Sequence, residues 1–241
     1  MTAETQASER RKTALSRDAI IAAAIEILDA QGEGALTFRA LAARLATGSG
    51  AIYWHVADKQ ELLAAVADQV IARIMVDQAD GAEPSEAIRI FALAVFDAID
   101  AHPWIGGQLS RDPWQHAVLR ILEAVGGHVR ALGVPADAQF NVATAIMSFL
   151  LGLAGQYALG AGMAEGGIDR TTALEEIAAR WAKLDPENYP FVRFIATQLP
   201  GHDDREQFLA GIDLILAGIE PLRDVAATAR HQSSPVFPGG Q

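Results

Sequence analysis

Side chains that do covalent chemistry are thinly spread along this 241-residue chain. There is no Cys, which excludes a thiolate nucleophile, a disulfide and a Cys-ligated metal. The six histidines (His55, His102, His116, His128, His202 and His231) make no H-x-x-x-H or E-x-x-H pair. No G-x-S-x-G elbow is present, and no Gly-rich phosphate loop follows a strand pattern. The sequence therefore calls for no catalytic residue, no cofactor and no metal, and reads as non-enzymatic. What it does concentrate is hydrogen-bonding side chains: Arg39, Ser49, Tyr53, His55 and Lys59 fall within 21 residues. Arginine forks onto a guanine edge, and Tyr, His and Lys donate to phosphate oxygens, so the chemistry on offer is nucleic-acid binding.

A net charge of −11 opposes that reading, but the charge is unevenly distributed. Residues 1–60 hold seven basic groups (Arg10, Arg11, Lys12, Arg17, Arg39, Arg44, Lys59) and seven acidic ones, so they are neutral. The remaining 12 basic and 23 acidic groups carry the whole excess, which points to two regions with different partners. The opening residues lack the apolar core of a secretory signal, and the protein is expected in the cytoplasm. Ala138 to Ala164 is a run of 27 uncharged residues, long enough to cross a bilayer. Its flanks are Asp137 and Glu165, and it is diluted by Asn141, Ser148, Gln156 and many Gly and Ala, so it is expected to be a helix buried on nearly all sides in a bundle, with no membrane partner.

The elements that must position the binding groups are helices. Ile20, Ala24, Ile27 and Leu28 have helical spacing before a stop at Gly32 and Gly34, predicting a helix over 17–31. Thr37 caps a short helix carrying Leu41, Ala42 and Leu45, a break at 46–48 follows, and a second short helix is predicted over 49–55. Asp58 and Glu61 form a capping-box-like pair opening a longer helix to about Val76. Two short helices joined by about three residues make a helix-turn-helix. Its apolar positions Leu41, Ala42, Leu45 and Ile52 leave Arg39, Arg44, Ser49, Ala51, Tyr53 and His55 facing outward or flanking. Beyond Gly81 no alternation of period two occurs, and breaks at Pro and Gly predict helices over 84–101, 103–109, 114–132, 136–160, 171–184, 188–199 and 203–222. The fold class is all-α.

The run LTFRALAARLATGSGAIYWHVADKQELLAAV at 36–66 resembles the DNA-binding region of the tetracycline-repressor (TetR) family, and Ile52-Tyr53-Trp54-His55-Val56 with Lys59 and Leu62-Leu63 looks closest to the tetracycline repressors themselves. FLAGIDLILAGIEPL at 208–222 is similar to their last helix. The resemblance implies a homodimeric repressor with an N-terminal helix-turn-helix and a small-molecule pocket in a C-terminal helical domain, bound to palindromic operator DNA and released by an effector. On that basis residues 1–15 are a disordered arm, 16–62 the DNA-binding domain, 63–228 the ligand-binding and dimerisation domain, and 229–241 a flexible tail. The resemblance places Ser49, Gly50, Ala51, Tyr53, Trp54 and His55 in the recognition helix, with Thr37, Arg39 and Lys59 at its flanks. Trp54 is either a contact or an anchor beneath that helix, and Arg10-Arg11-Lys12 either an arm along a groove or a solvated tail.

Where these repressors have Gly in the turn this chain has Ala46, so the turn either is adjusted at Gly48 or is strained. Gly50 loosens the recognition helix. In helix 136–160, Ala145, Ser148, Gly152, Gly155 and Leu159 make a face of small residues, and Gly211 and Gly218 lie seven apart in the last helix beside Leu214, Ile215 and Leu222. These are expected to form a four-helix dimer bundle, with packing inside one chain as the alternative reading. Met75, Phe96, His102, Trp104, Gln108, Trp114, His116, His128, Asn141, Gln156 and Trp181 are candidates to line a mostly apolar pocket. Met75 stands where the tetracycline repressors have a drug-gripping histidine, which disfavours a metal chelate and favours a planar or lipophilic effector. The helix from Asp58 is expected to be the sole connection between the recognition unit and the bundle.

Overall fold

Helix α1 (Arg17–Ala35) starts where Ser16, in extended conformation, accepts the Ala19 amide on its hydroxyl at 3.1 Å. Ile20, Ala24, Ile27 and Leu28 are buried on its inner face. Gly32 breaks the helical path at φ 73°, and a further turn to Ala35 continues beyond the kink. The computed structural model describes residues 15–76, 81–111, 115–164 and 170–232, and every regular element among them is helical. The Arg10–Lys12 arm, Trp114 and the tail from Ser233 lie outside the described residues.

Thr37 caps α2 (Phe38–Arg44) by accepting the Ala40 amide at 3.1 Å. This helix ends in a Schellman-type turn: the Thr47 amide bonds the Ala42 carbonyl at 2.9 Å and the Ala46 amide the Ala43 carbonyl at 3.4 Å. That closure needs a left-handed residue, and Ala46 supplies it at φ 49°, the one non-Gly residue with positive φ among those described. The turn is thus strained, and Gly48 at φ −87° does not relieve it. Ala46→Gly is expected to stabilise the chain by about 1 kcal/mol, read as a raised urea midpoint with an unchanged slope.

Helix α3 (Ser49–Ile52) is shorter than the predicted 49–55. It has no side-chain cap and contains Gly50, and the amides of His55 and Val56 both close onto the Ile52 carbonyl. Tyr53, Trp54 and His55 therefore sit in the tight turn after the helix. Helix α4 (Lys59–Val76) opens on Asp58, which accepts the Glu61 amide at 2.8 Å, while Glu61 reaches back to the Ala57 amide at 2.7 Å, one residue further than a standard capping box.

The C-terminal domain comprises α5 (Pro84–Ala101), α6 (Trp104–Arg111), α7 (His116–Ala131), α8 (Ala136–Ala164), α9 (Arg170–Trp181), α10 (Pro190–Ala196), a 3₁₀ turn (Leu199–Gly201) and α11 (Asp204–Gln232). Helices α6 and α7 pack on α8, α7 also on α4, and α11 on α5 and α8. Helix α11 runs past the predicted end at 222 because Pro221 interrupts one hydrogen bond only, and its would-be acceptor, Ala217, is exposed to solvent.

Helix α8 is apolar and long enough to span a membrane, but Val142, Ala143, Ile146, Met147 and Leu150 are buried in the bundle. Its burial is one-sided, contrary to the expectation, since Asn141, Ala145, Ser148, Gly152 and Gln156 are exposed. The core joins α5, α11 and α8 through ring contacts, Phe96 tilted on Phe208 at 5.1 Å and Phe208 stacked on Phe149 at 5.4 Å. The Phe149 ring lies in the notch left by Gly211, where an added Cβ would collide with it. Gly211 therefore serves packing within the chain, a correction to its expected place in the dimer bundle. Gly155 is half-buried, and a Cβ added to it would come within 4.0 Å of Ser110 Oγ of α6, an ordinary contact, so its side of α8 faces α6. Gly211→Ala should cost about 1–3 kcal/mol by overpacking, measured as a lowered thermal midpoint.

Candidate nucleic-acid interface and effector domain

The reading head is held from beneath by Leu36, Leu41, Ile52 and Val56, each essentially inaccessible. Burying Ile52 fixes α3 against α2 and turns the rest of 49–55 outward. Tyr53 is anchored by its ring, 4.4 Å from that of Phe38, yet stays 54% exposed. Trp54 is 90% exposed, so it points away from the core and is not an anchor. Thr37 and Gly50 are exposed, and Ser49, Ala51 and His55 are partly so. Among the described residues, no atom outside its own helical turn and chain neighbours lies within 4 Å of where a Gly50 side chain would start, leaving backbone open to a ligand strand.

The two outward arginines differ. Arg44 is paired with Glu26 of α1. Arg39 is exposed and makes no hydrogen bond or ion pair among the described residues. A guanidinium left unpaired on a helix-turn-helix that also exposes Tyr53 and Trp54 suits a polyanion. Lys59 is a different matter: its ammonium is half-buried and donates to the Glu33 carbonyl at 2.7 Å, closing the end of α1. Its first role in the free chain is to join α4 to α1 rather than to face outward.

The pocket candidates disperse. His102 Nδ1 and Trp104 Nε1 both lie 2.7 Å from Asp29 Oδ1, and Gln108, 4% exposed, donates to Glu33 Oε2 at 3.0 Å. These three residues tie the α5–α6 connection and α6 to α1. The covalent link through α4 is therefore not the sole connection between the domains, as the sequence suggested. Phe96 belongs to the ring cluster of the core. His116 lies on an open groove of about 480 Å³ along α7 with Leu119, Arg120, Leu122 and Glu123. Asn141 and Gln156 share the exposed face of α8 with Ala145, Ser148 and Gly152, away from the interior. Met75 is half-buried against the core, and Trp181 half-buried on α9, an element that buries no residue of its own.

His128 stands apart from these. Its Nε2 is buried without a hydrogen-bond partner, and its ring lies 5.7 Å from that of Phe91. Burial pushes its pKa below the usual imidazole range, so the ring is neutral at pH 7. On the same helix Arg120 reaches Asp68 of α4 at 2.6 Å, a bond that raises the arginine's pKa further. The residues that sequence reasoning missed are Asp29, Glu33 and Asp68, because an acidic residue on a helix reads as a solvated face until the fold supplies its partner.

Residues 20–66 match the family model described as bacterial regulatory proteins, tetR family. Over 59 residues the chain is 42% identical to the class D tetracycline repressor protein of Escherichia coli, a match spanning 24% of this chain and 27% of that one. The solved structure of the transcriptional regulator SCO7222, a TetR from Streptomyces coelicolor, is 48% identical, with a TM-score of 0.74 over 87% of this chain and 99% of that one. ActR of Streptomyces coelicolor, solved in complex with actinorhodin, is similar in fold, at 23% identity and a TM-score of 0.68 over 87% of this chain and 98% of that one.

Proposed function

The chain belongs to the TetR family of bacterial transcriptional regulators, and on that premise we propose that it is a cytoplasmic repressor that binds a palindromic operator as a homodimer and is released by a small, largely apolar effector. The observation that carries this reading is the exposed group of Arg39, Tyr53 and Trp54 on a helix-turn-helix whose underside is fully packed. The division at residues 62–63 puts the reading head and the first turn of α4 in the DNA-binding unit. The dimer reading rests on an unpartnered apolar stripe: Leu214 is 76% exposed, Gly218 and Leu222 are exposed on the same face of α11, and the small-residue face of α8 offers Ala145, Ser148 and Gly152. Ile215 lies half-buried at the edge of that stripe. Such a two-fold bundle suits a two-fold operator.

The effector reading is supported by the ligand found in ActR, which shares the fold, and by His128, whose neutral imidazole offers a buried, unmatched polar atom near the Phe91 ring. Met75 in place of the tetracycline repressors' histidine argues for a lipophilic or planar molecule over a magnesium chelate. A ligand-binding dimer without DNA affinity is the competing reading. Selection of duplexes from a random pool by the full-length chain distinguishes the two. An enriched inverted repeat supports the repressor, and no enrichment supports the competitor. An effector that lowers DNA affinity tenfold must itself bind tenfold more weakly to the DNA complex, a coupling of about 1.4 kcal/mol.

A further inference from the structure

We propose that Asp29 and Glu33 of α1, held by α6, set the spacing at which the two reading heads of the dimer stand, and so select the half-site spacing of the operator. The inference rests on the dimeric-repressor reading above and specifies how that dimer measures DNA. A reading head attached through α4 alone would pivot about one helix. Here α1 supplies a second attachment point, built on two carboxylates on either side of the kink at Gly32.

Asp29 lies within hydrogen-bond distance of the His102 ring, at the C-cap of α5, and accepts from the Trp104 indole at the start of α6. Glu33 accepts from Gln108 at 3.0 Å and from Arg111 at 3.4 Å, one and two turns further along that helix. The carbonyl of the same Glu33 takes the Lys59 ammonium at 2.7 Å, so a single residue fastens α6, α1 and the start of α4 together. Charge-assisted bonds of this kind are directional, and several at separate points fix rotation as well as distance. A change of one base pair moves one half-site by about 3.4 Å and turns it by about 35°. A head fixed at two points cannot follow that displacement, whereas a head on one helix can.

The test uses the full-length chain and the half-site enriched from a random pool, presented as inverted repeats with the spacer lengthened or shortened by one and two base pairs. The native chain is expected to prefer one spacing by on the order of a hundredfold, because linkage is lost when geometry forbids both contacts at once. Asp29→Ala/Glu33→Ala is expected to bind all spacings within a few-fold of one another. Asp29→Asn/Glu33→Gln keeps an acceptor oxygen at each place and should restore most of the discrimination, which a merely structural role would not predict. If the alanine pair does not fold, His102→Leu/Trp104→Phe/Gln108→Leu/Arg111→Met removes all four side-chain partners of the two carboxylates while keeping their bulk and should show the same relaxation. Discrimination in the relaxed variants as sharp as in the native chain overturns the proposal. A native chain that retains single half-sites as well as paired ones overturns the dimeric reading on which it stands.

Discussion

Gly218→Leu is expected to leave the free chain folded and to cost most of its operator affinity. Gly218 is exposed on α11, and among the described residues nothing beyond its own helical turn lies within 4 Å of the position its Cβ would take. A leucine there meets solvent in the monomer. In the proposed dimer it sits between Leu214 and Leu222, where two helices must approach closely, and it holds them apart. Losing the link between half-sites lowers affinity by about 10²- to 10⁴-fold. Sedimentation at micromolar concentration should find a monomer with native helicity. A variant that still sediments as a dimer places the interface elsewhere. The contrast with Gly211 sharpens the test: substitution there strikes Phe149 and destabilises the fold itself.

Arg39→Ala and Tyr53→Ala are expected to weaken binding to the selected duplex while leaving the fold almost untouched for Arg39 and mildly weakened for Tyr53, which loses its ring contact with Phe38. If Arg39 reads a base, its loss costs about 1–3 kcal/mol and relaxes preference at one position. If it meets phosphate, binding falls evenly across sequences and the salt slope drops by about 1. Arg44→Ala serves as the control, since that guanidinium is already paired with Glu26. Unchanged binding in both Arg39→Ala and Tyr53→Ala would falsify the assignment of this surface to DNA.

Much of the reading head is legible in the sequence because its determinants are local. Thr37 and Asp58 cap the helices expected of them, Ile52 is buried where the apolar spacing requires, and the positive φ at Ala46 follows from a turn that cannot close otherwise. The helix over Pro84–Ala101 likewise has the predicted bounds, set by Pro84 at one end and the break at Pro103 at the other. What the sequence does not disclose is long-range partnering. Gly211 and Gly218 look equivalent in a seven-residue repeat, and only the arrival of Phe149 from α8 separates a core notch from a free surface. His102, Trp104 and Gln108 have the composition of a ligand pocket, and what redirects them is the pair of carboxylates 75 residues or so earlier on α1. Lys59 has the charge of a phosphate contact, but the open end of α1 lies within its reach.

In the proposed complex two copies of this chain read the two halves of one symmetric site. The direct measurement is sedimentation of the chain with a labelled duplex carrying the enriched sequence, combined with hydroxyl-radical footprinting of both strands. The account predicts two chains per duplex and two protected patches related by a two-fold axis, centred about 10 base pairs apart or a multiple of that. One chain per duplex, or a single protected patch without symmetry, would contradict it.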